Sequence, residues 1–437
     1  MRQLPIALLL FAFAAACNST NDIPHTALPG PSTAPSGKVD TEFIVDGRYI
    51  DLKRVRLDSS AIRPAAAKKF FLKGLVYWPT PIGKDVSDPP MLDDALRDGN
   101  EAVWSRDLPL IRAAGANAIH VYNVVPPDFD KDTGPITKFL NAAWNGGKKP
   151  VYVLMSIHFT GEKLLNDGAV KSLATQYHDL DAKYAKYPAV FGVSISNEIG
   201  ADNFLTNAKW WQGFNTVAKA AKKGFADGGD PDKIVTTSEP DGEIGFVKAG
   251  EKFGAAVDAW GINIYRGRTF TSLFKELKQT TSKPTMLTEY GASAAYHVDW
   301  TNTYDWRNGI NQPGACHPDK QSGPDNRDVK ELPKNGDPGM PGLVDLVWNN
   351  GRWLSDGFED GGVLAGGFYF EWSDEWWKSG NKDKHVGNIA FNGHYPGCSN
   401  DEAWFGLNSV SRGSGVLDVL TPRPTLKQIT QSWAAAP

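Results

Sequence analysis

Eight short apolar runs separated by helical stretches predict an α/β fold, a (β/α)8 TIM barrel with a short N-terminal β-hairpin. The runs are Phe70 to Tyr77, Asn117 to Tyr122, Pro150 to Ser156, Val190 to Ser196, Ile234 to Ser238, Ala259 to Tyr265, Pro284 to Glu289 and Gly362 to Glu371. Most are short and apolar, as parallel strands covered on both faces are. Helical periodicity fills the spaces between them. Glu101 to Ala114 carries Leu108, Ile111 and Ala114 on one stripe, and Ala169 to Lys186, Ala208 to Ala226, Thr271 to Thr280 and Leu343 to Asp360 follow. An open doubly wound sheet is the competing arrangement, and it often carries a Gly-rich phosphate loop after an early strand. Here the first strand runs instead into Tyr77-Trp78-Pro79, whose bulk would block a phosphate.

From the N-terminus, Arg2 precedes the apolar run Leu4 to Ala14, far shorter than the roughly 20 residues of a membrane span, so residues 1–16 read as a signal peptide. Ala14-Ala15-Ala16-Cys17 resembles a bacterial lipobox, where small residues precede the Cys that receives lipid. Ala14 departs from the Leu favoured there, and a plain secretory signal with an incidental Cys is the alternative. Residues 17–37 then form a disordered tether rich in Ser, Thr, Pro and Asn. The expected location is extracytoplasmic, as a lipoprotein anchored in a membrane through Cys17. Residues 38–437 read as a single domain with no repeat of fixed period. Thr41 to Arg56 is the hairpin, turning at Asp46-Gly47. Pro109 should kink or restart the helix it interrupts. A last helix opens near Pro424, with Leu426, Ile429 and Trp433 on its inner face.

The 437 residues include 46 Lys+Arg against 50 Asp+Glu, with 41% hydrophobic and 22% charged, an ordinary globular composition that excludes a disordered or fibrous chain. A net charge of -4, with no Lys/Arg run longer than a pair, leaves no electrostatic footprint for nucleic acid. Fifteen Trp with 13 Tyr and 21 Phe suit a protein that stacks flat ligands, sugars among them. Cys316 and Cys398 lie in two long irregular stretches, Tyr296 to Pro341 and Ser379 to Pro422, that follow neighbouring strands seven and eight. A Cys316–Cys398 disulfide is therefore expected in an oxidising compartment. Neither Cys has metal-ligand spacing, and His317 beside Cys316 cannot complete a site unaided, so no metal is expected. No cofactor is called for.

In a barrel of this kind the site is built where strands end at their C-terminal face. Strand one ends at Tyr77-Trp78, strand two at His120, Tyr122 and Asn123, strand three at His158, strand four at Asn197-Glu198, strand six at Asn263 and Tyr265, strand seven at Glu289-Tyr290, and strand eight at Glu371-Trp372. Glu198 and Glu289 close largely apolar strands three apart around an eight-strand ring, which sets them across the mouth from each other. Two facing carboxylates are what glycoside cleavage needs: one protonates the departing oxygen, and the other attacks the anomeric carbon or activates water.

Ser196-Asn197-Glu198 and Thr288-Glu289-Tyr290-Gly291 resemble the motifs of the clan of retaining (β/α)8 glycosidases. That resemblance implies Glu198 as acid/base and Glu289 as nucleophile. Within the clan the chain is most similar to glycoside hydrolase family 72, the β-1,3-glucanosyltransferases, in Phe70-Phe71-Leu72-Lys73-Gly74, in Asp107-Leu108-Pro109, in Gly115-Ala116-Asn117-Ala118-Ile119-His120-Val121-Tyr122, and in Thr288 to Gly291. It departs at His120, where many clan members carry Arg, and in Tyr369 to Trp377. The resemblance implies a double displacement on a β-linked polysaccharide, a β-glucan first. A β-mannanase or cellulase of family 5 type is the alternative enzyme, and a carbohydrate-binding lipoprotein without turnover is the alternative from another class.

The chemistry assigns the remaining roles. Tyr265 can donate to the Glu289 carboxylate and keep it ionised. Asn197 can hold the sugar 2-hydroxyl. Trp372 is a candidate floor for the sugar at the cleavage point, with Tyr77, Trp78, Trp376 and Trp377 as further stacking surfaces and His120, Tyr122 and His158 as further contacts. Trp residues at a barrel rim also serve as packing under long loops, and the two His serve as structural hydrogen-bonding groups. Asp374 and Glu375 read as solvated or paired loop charges, and Glu371 competes with Glu198 as a catalytic carboxylate.

Overall fold

In a computed structural model of the chain, all eight strands are present: Leu72–Val76, Ala118–His120, Tyr152–Ser156, Val190–Ser194, Ile234–Thr236, Trp260–Asn263, Thr285–Gly291 and Leu364–Phe370, numbered here one to eight. The structure describes residues 39–56, 67–88, 96, 99–124, 134–200, 202–265, 270, 272–291, 295–297, 304–305, 310–311, 329–331, 363–379, 382–385, 388–389, 399–400, 402–413 and 417–435. Cys17, Cys316, Cys398, the signal and tether segments and the expected helix Leu343 to Asp360 lie outside the described residues.

The strands pair in parallel in sequence order, and strand eight pairs with strand one. Between strands five and six the ring closes through Glu239–Pro240, which follow strand five after Thr237-Ser238 and pair with Ile262 and Asn263. Burial on both faces explains the uninterrupted apolar runs of strands two to five. The interior is filled by complementary sizes. A Cβ on Gly74 of strand one would sit 2.3 Å from the Phe368 ring of strand eight, so glycine there makes room for the phenyl group.

Helices cover the outside: α1 Glu101–Ala113, α2 Pro135–Trp144, α3 Asp167–Tyr184, α4 Asp202–Leu205, α5 Ala208–Asp227, α6 Gly245–Phe253, α7 Leu273–Thr280 and α8 Pro424–Ala435. In α1 the stripe Leu108, Ile111 and Ala114 is buried as expected. The helix is continuous through Pro109 and does not restart there. The α3 helix begins two residues earlier than its apolar pattern, because Asn166 caps it by accepting from the Ala169 N–H at 2.9 Å. In α8, Ile429 and Trp433 are buried, and the Lys73 ammonium donates to the Trp433 carbonyl at 2.7 Å, tying the helix to strand one. None of the described helices is long and apolar enough to cross a membrane.

The hairpin is Val39–Asp46 with Tyr49–Arg56. Asp46 pairs with Tyr49, so its turn is Gly47-Arg48, one residue later than expected, with Gly47 in the left-handed region at φ 59°. It plugs the N-terminal end of the barrel. Phe43 is buried with its ring 5.7, 5.1 and 4.8 Å from those of Phe70, Tyr152 and Phe191. Thr41 donates to the Pro188 carbonyl at 2.9 Å and accepts from the buried Lys233 ammonium, itself 2.9 Å from Asp230. The opposite, C-terminal end carries the strand-end polar residues.

Candidate active site

Strand four leads into a tight turn that aims Glu198 at the mouth. Ser196 and Glu198 both take left-handed φ values, 59° and 51°, although neither is glycine. The turn is pinned from several sides. The Ser196 N–H donates to the Tyr177 hydroxyl at 2.8 Å, its Oγ donates to the Phe159 carbonyl at 3.0 Å, and the Glu198 N–H donates to the Ser238 carbonyl at 2.7 Å. Asn263 of strand six supports it laterally, its Nδ2 donating to Asn197 Oδ1 and to Glu198 Oε1, both at 3.1 Å. The amide's orientation is set by Thr288, whose hydroxyl donates to Asn263 Oδ1 at 2.8 Å.

Glu289 projects from strand seven and is held at both oxygens. The Tyr122 hydroxyl donates to Oε1 at 2.6 Å, and the Tyr265 hydroxyl donates to Oε2 at 2.9 Å. Burial, then the charge on Glu198, pushes the Glu289 carboxyl up to about 8, against Tyr122, the Lys378 ammonium and Tyr265, which lower it. The repulsion by Glu198 operates only while both groups are charged, so a proton on Glu198 relieves it. The two hydroxyl donors favour the charged form of Glu289. Burial first, then the Glu289 charge, keeps the Tyr122 hydroxyl far above its ordinary value, so it stays a donor.

Alternation along the strands decides where the other candidates point. Trp78 is half-buried at the mouth, its ring 4.8 Å from Tyr122 and 6.5 Å from Trp377. Tyr77, its neighbour, turns to the helix layer, where it is fully buried, donates to Asp107 of α1 at 3.1 Å and stacks on Phe139 of α2. Trp372 is likewise buried, with its indole against Asp107. Neither offers a stacking face to the mouth, which corrects the expectation for both. His120 is fully buried inside the barrel behind Tyr122, ring centroids 4.9 Å apart, and burial lowers it to about 4, so it is neutral. His158 is half-buried at the end of strand three, where its N–H donates to Asn123 Oδ1 at 2.9 Å. Trp376 stacks on His385 at 5.2 Å, and His385 stacks on Trp404 at 4.1 Å.

Asp374 and Glu375 are paired, but buried instead of solvated. Asp374 receives both ends of the Arg423 guanidinium at 2.7 Å, and Glu375 lies 3.3 Å from Lys378. Glu371 is buried and close enough to Tyr122 to act on its hydroxyl, so strand eight adds a carboxyl to the same wall. Two residues went unselected in the sequence. Lys378 lies 4.8 Å from the Phe370 ring centre and 5.6 Å from that of Trp377, within electrostatic reach of Glu289. Glu239 lies buried beside Glu198, directly after strand five. The strand-end rule applied to strand five would have found Glu239; nothing in the spacing marks Lys378.

No protein-family model and no curated protein matches the sequence. Solved structures do resemble it. A GH2 β-galacturonidase from Eisenbergiella tayi, solved with glycerol, superposes with a TM-score of 0.51 at 14% identity, covering 91% of this chain and 54% of that one. Saccharomyces cerevisiae Gas2p in complex with laminaripentaose gives 0.52 at 16% identity, covering 91% of this chain and 69% of the other. The likeness is one of fold. The chain spans about half the length of the galacturonidase. Among the described residues, no group of three or more His, Cys, Asp or Glu is arranged to hold a metal ion. The mouth offers paired carboxyls, amide and phenol donors and aromatic faces, a set suited to a polyhydroxylated ligand.

Proposed function

We propose that the chain is a retaining glycoside hydrolase or transglycosylase acting on a β-linked polysaccharide. The observation that carries this reading is the pair of carboxyls at the ends of strands four and seven. Glu289 is gripped by two tyrosine hydroxyls, and Glu198 is tied to Asn263 and coupled to Glu289 by charge. In the first step Glu198 gives its proton to the glycosidic oxygen while Glu289 attacks the anomeric carbon, forming a glycosyl ester and releasing the leaving sugar. In the second, Glu198 takes a proton from water or from a sugar hydroxyl, whose oxygen displaces Glu289. Water gives hydrolysis and a sugar gives transfer. Asn197, Trp78 and Tyr122 border the space where the sugar would sit.

A β-1,3-glucan is the first substrate to test, because the motif resemblance to family 72 and the fold shared with laminaripentaose-bound Gas2p both favour it. Purified protein is incubated with laminari-, cello- and manno-oligosaccharides and the products are sized. Turnover of laminari-oligosaccharides is expected, products longer than the substrate report transfer, and inactivity on all three refutes the reading. We place the enzyme outside the cytoplasm on a Cys17 lipid anchor, with a Cys316–Cys398 bridge. Cys17→Ser should release it from membranes, and peptide mapping without reduction should find the other two joined. Unchanged membrane association, or two free thiols, would defeat the respective claim.

A further inference from the structure

A carboxyl side chain in a dry environment is costly unless its polar atoms are satisfied, and Glu239 is only partly so. It is fully buried, its Oε2 accepts from the Gly200 N–H at 2.7 Å, the Ile199 N–H also bears on the carboxyl, and Oε1 meets no donor within hydrogen-bond geometry. An apolar residue of the same size would avoid that cost. What Glu239 holds explains its presence. Gly200 lies two residues past Glu198, and the backbone there approaches so closely that a Cβ on Gly200 would lie 2.8 Å from Glu239 Oε2 and 2.3 Å from the Phe246 ring. The turn between strand four and Gly200 contains two non-glycine left-handed residues, an unfavourable backbone that persists only because its surroundings hold it.

The segment that follows strand five, Ser238 and Glu239, supplies that support in three successive contacts. Ser194 Oγ donates to Ser238 Oγ at 2.9 Å, the Glu198 N–H donates to the Ser238 carbonyl at 2.7 Å, and the Gly200 N–H donates to Glu239. The backbone at Glu239 pairs in turn with Ile262, one residue before the Asn263 that bonds Glu198. We propose that Glu239 is the positioning residue for the acid/base Glu198, fixing the Ser196–Gly200 turn through the Gly200 N–H. The inference rests on the glycosidase reading above. Burial raises the Glu239 carboxyl well above its ordinary range, the charged form of Glu198 adds to that, and the Gly200 and Ile199 N–H groups act the other way. Glutamine offers the same carbonyl acceptor to the Gly200 N–H without a carboxylate's charge, which makes the role separable from charge.

The test uses the full chain and two probes that differ in leaving group: phenyl β-laminaribioside, which needs protonation, and 2,4-dinitrophenyl β-laminaribioside, which does not. Glu239→Ala should lower kcat/KM on the phenyl probe by about tenfold or more, a part of what general acid catalysis contributes, with the dinitrophenyl probe within about threefold of wild type. Glu239→Gln keeps an acceptor for the Gly200 N–H and should restore the phenyl probe to within about threefold. Glu239→Asp draws the acceptor back by one methylene and should behave like Glu239→Ala. The Asp and Gln variants decide the matter if the alanine variant does not fold. Equal losses on both probes in the Asp variant, or a Gln variant no better than Asp, would overturn the assignment of Glu239 alone. Wild type inactive on both probes, or a Glu198→Ala variant without the leaving-group split, would overturn the reading on which it rests.

Discussion

Replacing Tyr122 by Phe removes the shorter of the two hydrogen bonds that hold Glu289, the one at 2.6 Å, from a ring that is 6% exposed and packed between Trp78 and His120. No water can take the hydroxyl's place without opening that packing. A hydrogen bond to a charged group is worth about 1.5–3 kcal/mol, and 1.36 kcal/mol is one pKa unit, so the Glu289 pKa should rise by about 1–2 units. Glu289 acts only after losing its proton, so raising its pKa moves the acid limb of kcat/KM to higher pH by the same amount, and activity at low pH is lost first. Tyr265→Phe removes the bond at 2.9 Å, but Tyr265 is 43% exposed and solvent can replace the lost donor, so the limb should move by less than about half a unit. The assay is kcat/KM on 2,4-dinitrophenyl β-laminaribioside from about pH 4 to 11 for wild type and both variants, corrected for spontaneous hydrolysis. Equal shifts in the two, or no shift in Tyr122→Phe, would refute the claim that the buried tyrosine sets the state of Glu289.

Lys378→Met should also move the acid limb upward, since the ammonium lowers the Glu289 pKa; an unmoved limb would mean that its charge is spent on Glu375, 3.3 Å away. Phe43→Ala should lower stability by about 3–5 kcal/mol in denaturant unfolding with an unchanged pH profile, because the lost ring closes the end of the barrel remote from the site. A loss below about 1 kcal/mol would show the hairpin to be a mere appendage. Asp181 of α3 is fully buried, neither carboxyl oxygen has a hydrogen-bond partner, and burial holds it well above the ordinary range. The folded state thus keeps a proton that the unfolded chain releases above about pH 4, and stability falls as pH rises. Asp181→Asn should therefore gain more in Tm at pH 8 than at pH 5, and an equal gain at both would contradict the assignment.

The barrel was legible because strands buried on both faces leave unbroken apolar runs, and the site was legible because a barrel gathers its chemistry at strand ends. Glu198, Glu289, Asn197, Tyr122 and Tyr265 follow from those two rules. Direction was harder to read. Tyr77 and Trp78 are adjacent and equally aromatic, and only the pleat sends one to Asp107 and the other to the mouth. Trp372 was misplaced for the same reason, its position depending on where strand eight stops alternating. Lys378 reaches Glu289 through the short helical turn Trp376–Ser379, whose shape no periodicity encodes. The α1 helix runs through Pro109 without restarting, because the packing of the buried Leu108 and Ile111 beside it outweighs proline's low helix propensity. Only Pro135 at its first turn marks the start of the short α2 helix in the sequence.

The most direct test of the central claim is the fate of the glycosyl group when the acid/base is missing. Glu198→Ala is given 2,4-dinitrophenyl β-laminaribioside, whose leaving group departs without a proton, together with sodium azide. If Glu289 forms the covalent intermediate, azide intercepts it and the product is β-laminaribiosyl azide, while Glu289→Ala yields no turnover of the same probe. An α-configured azide, or full activity in Glu289→Ala, would contradict the account.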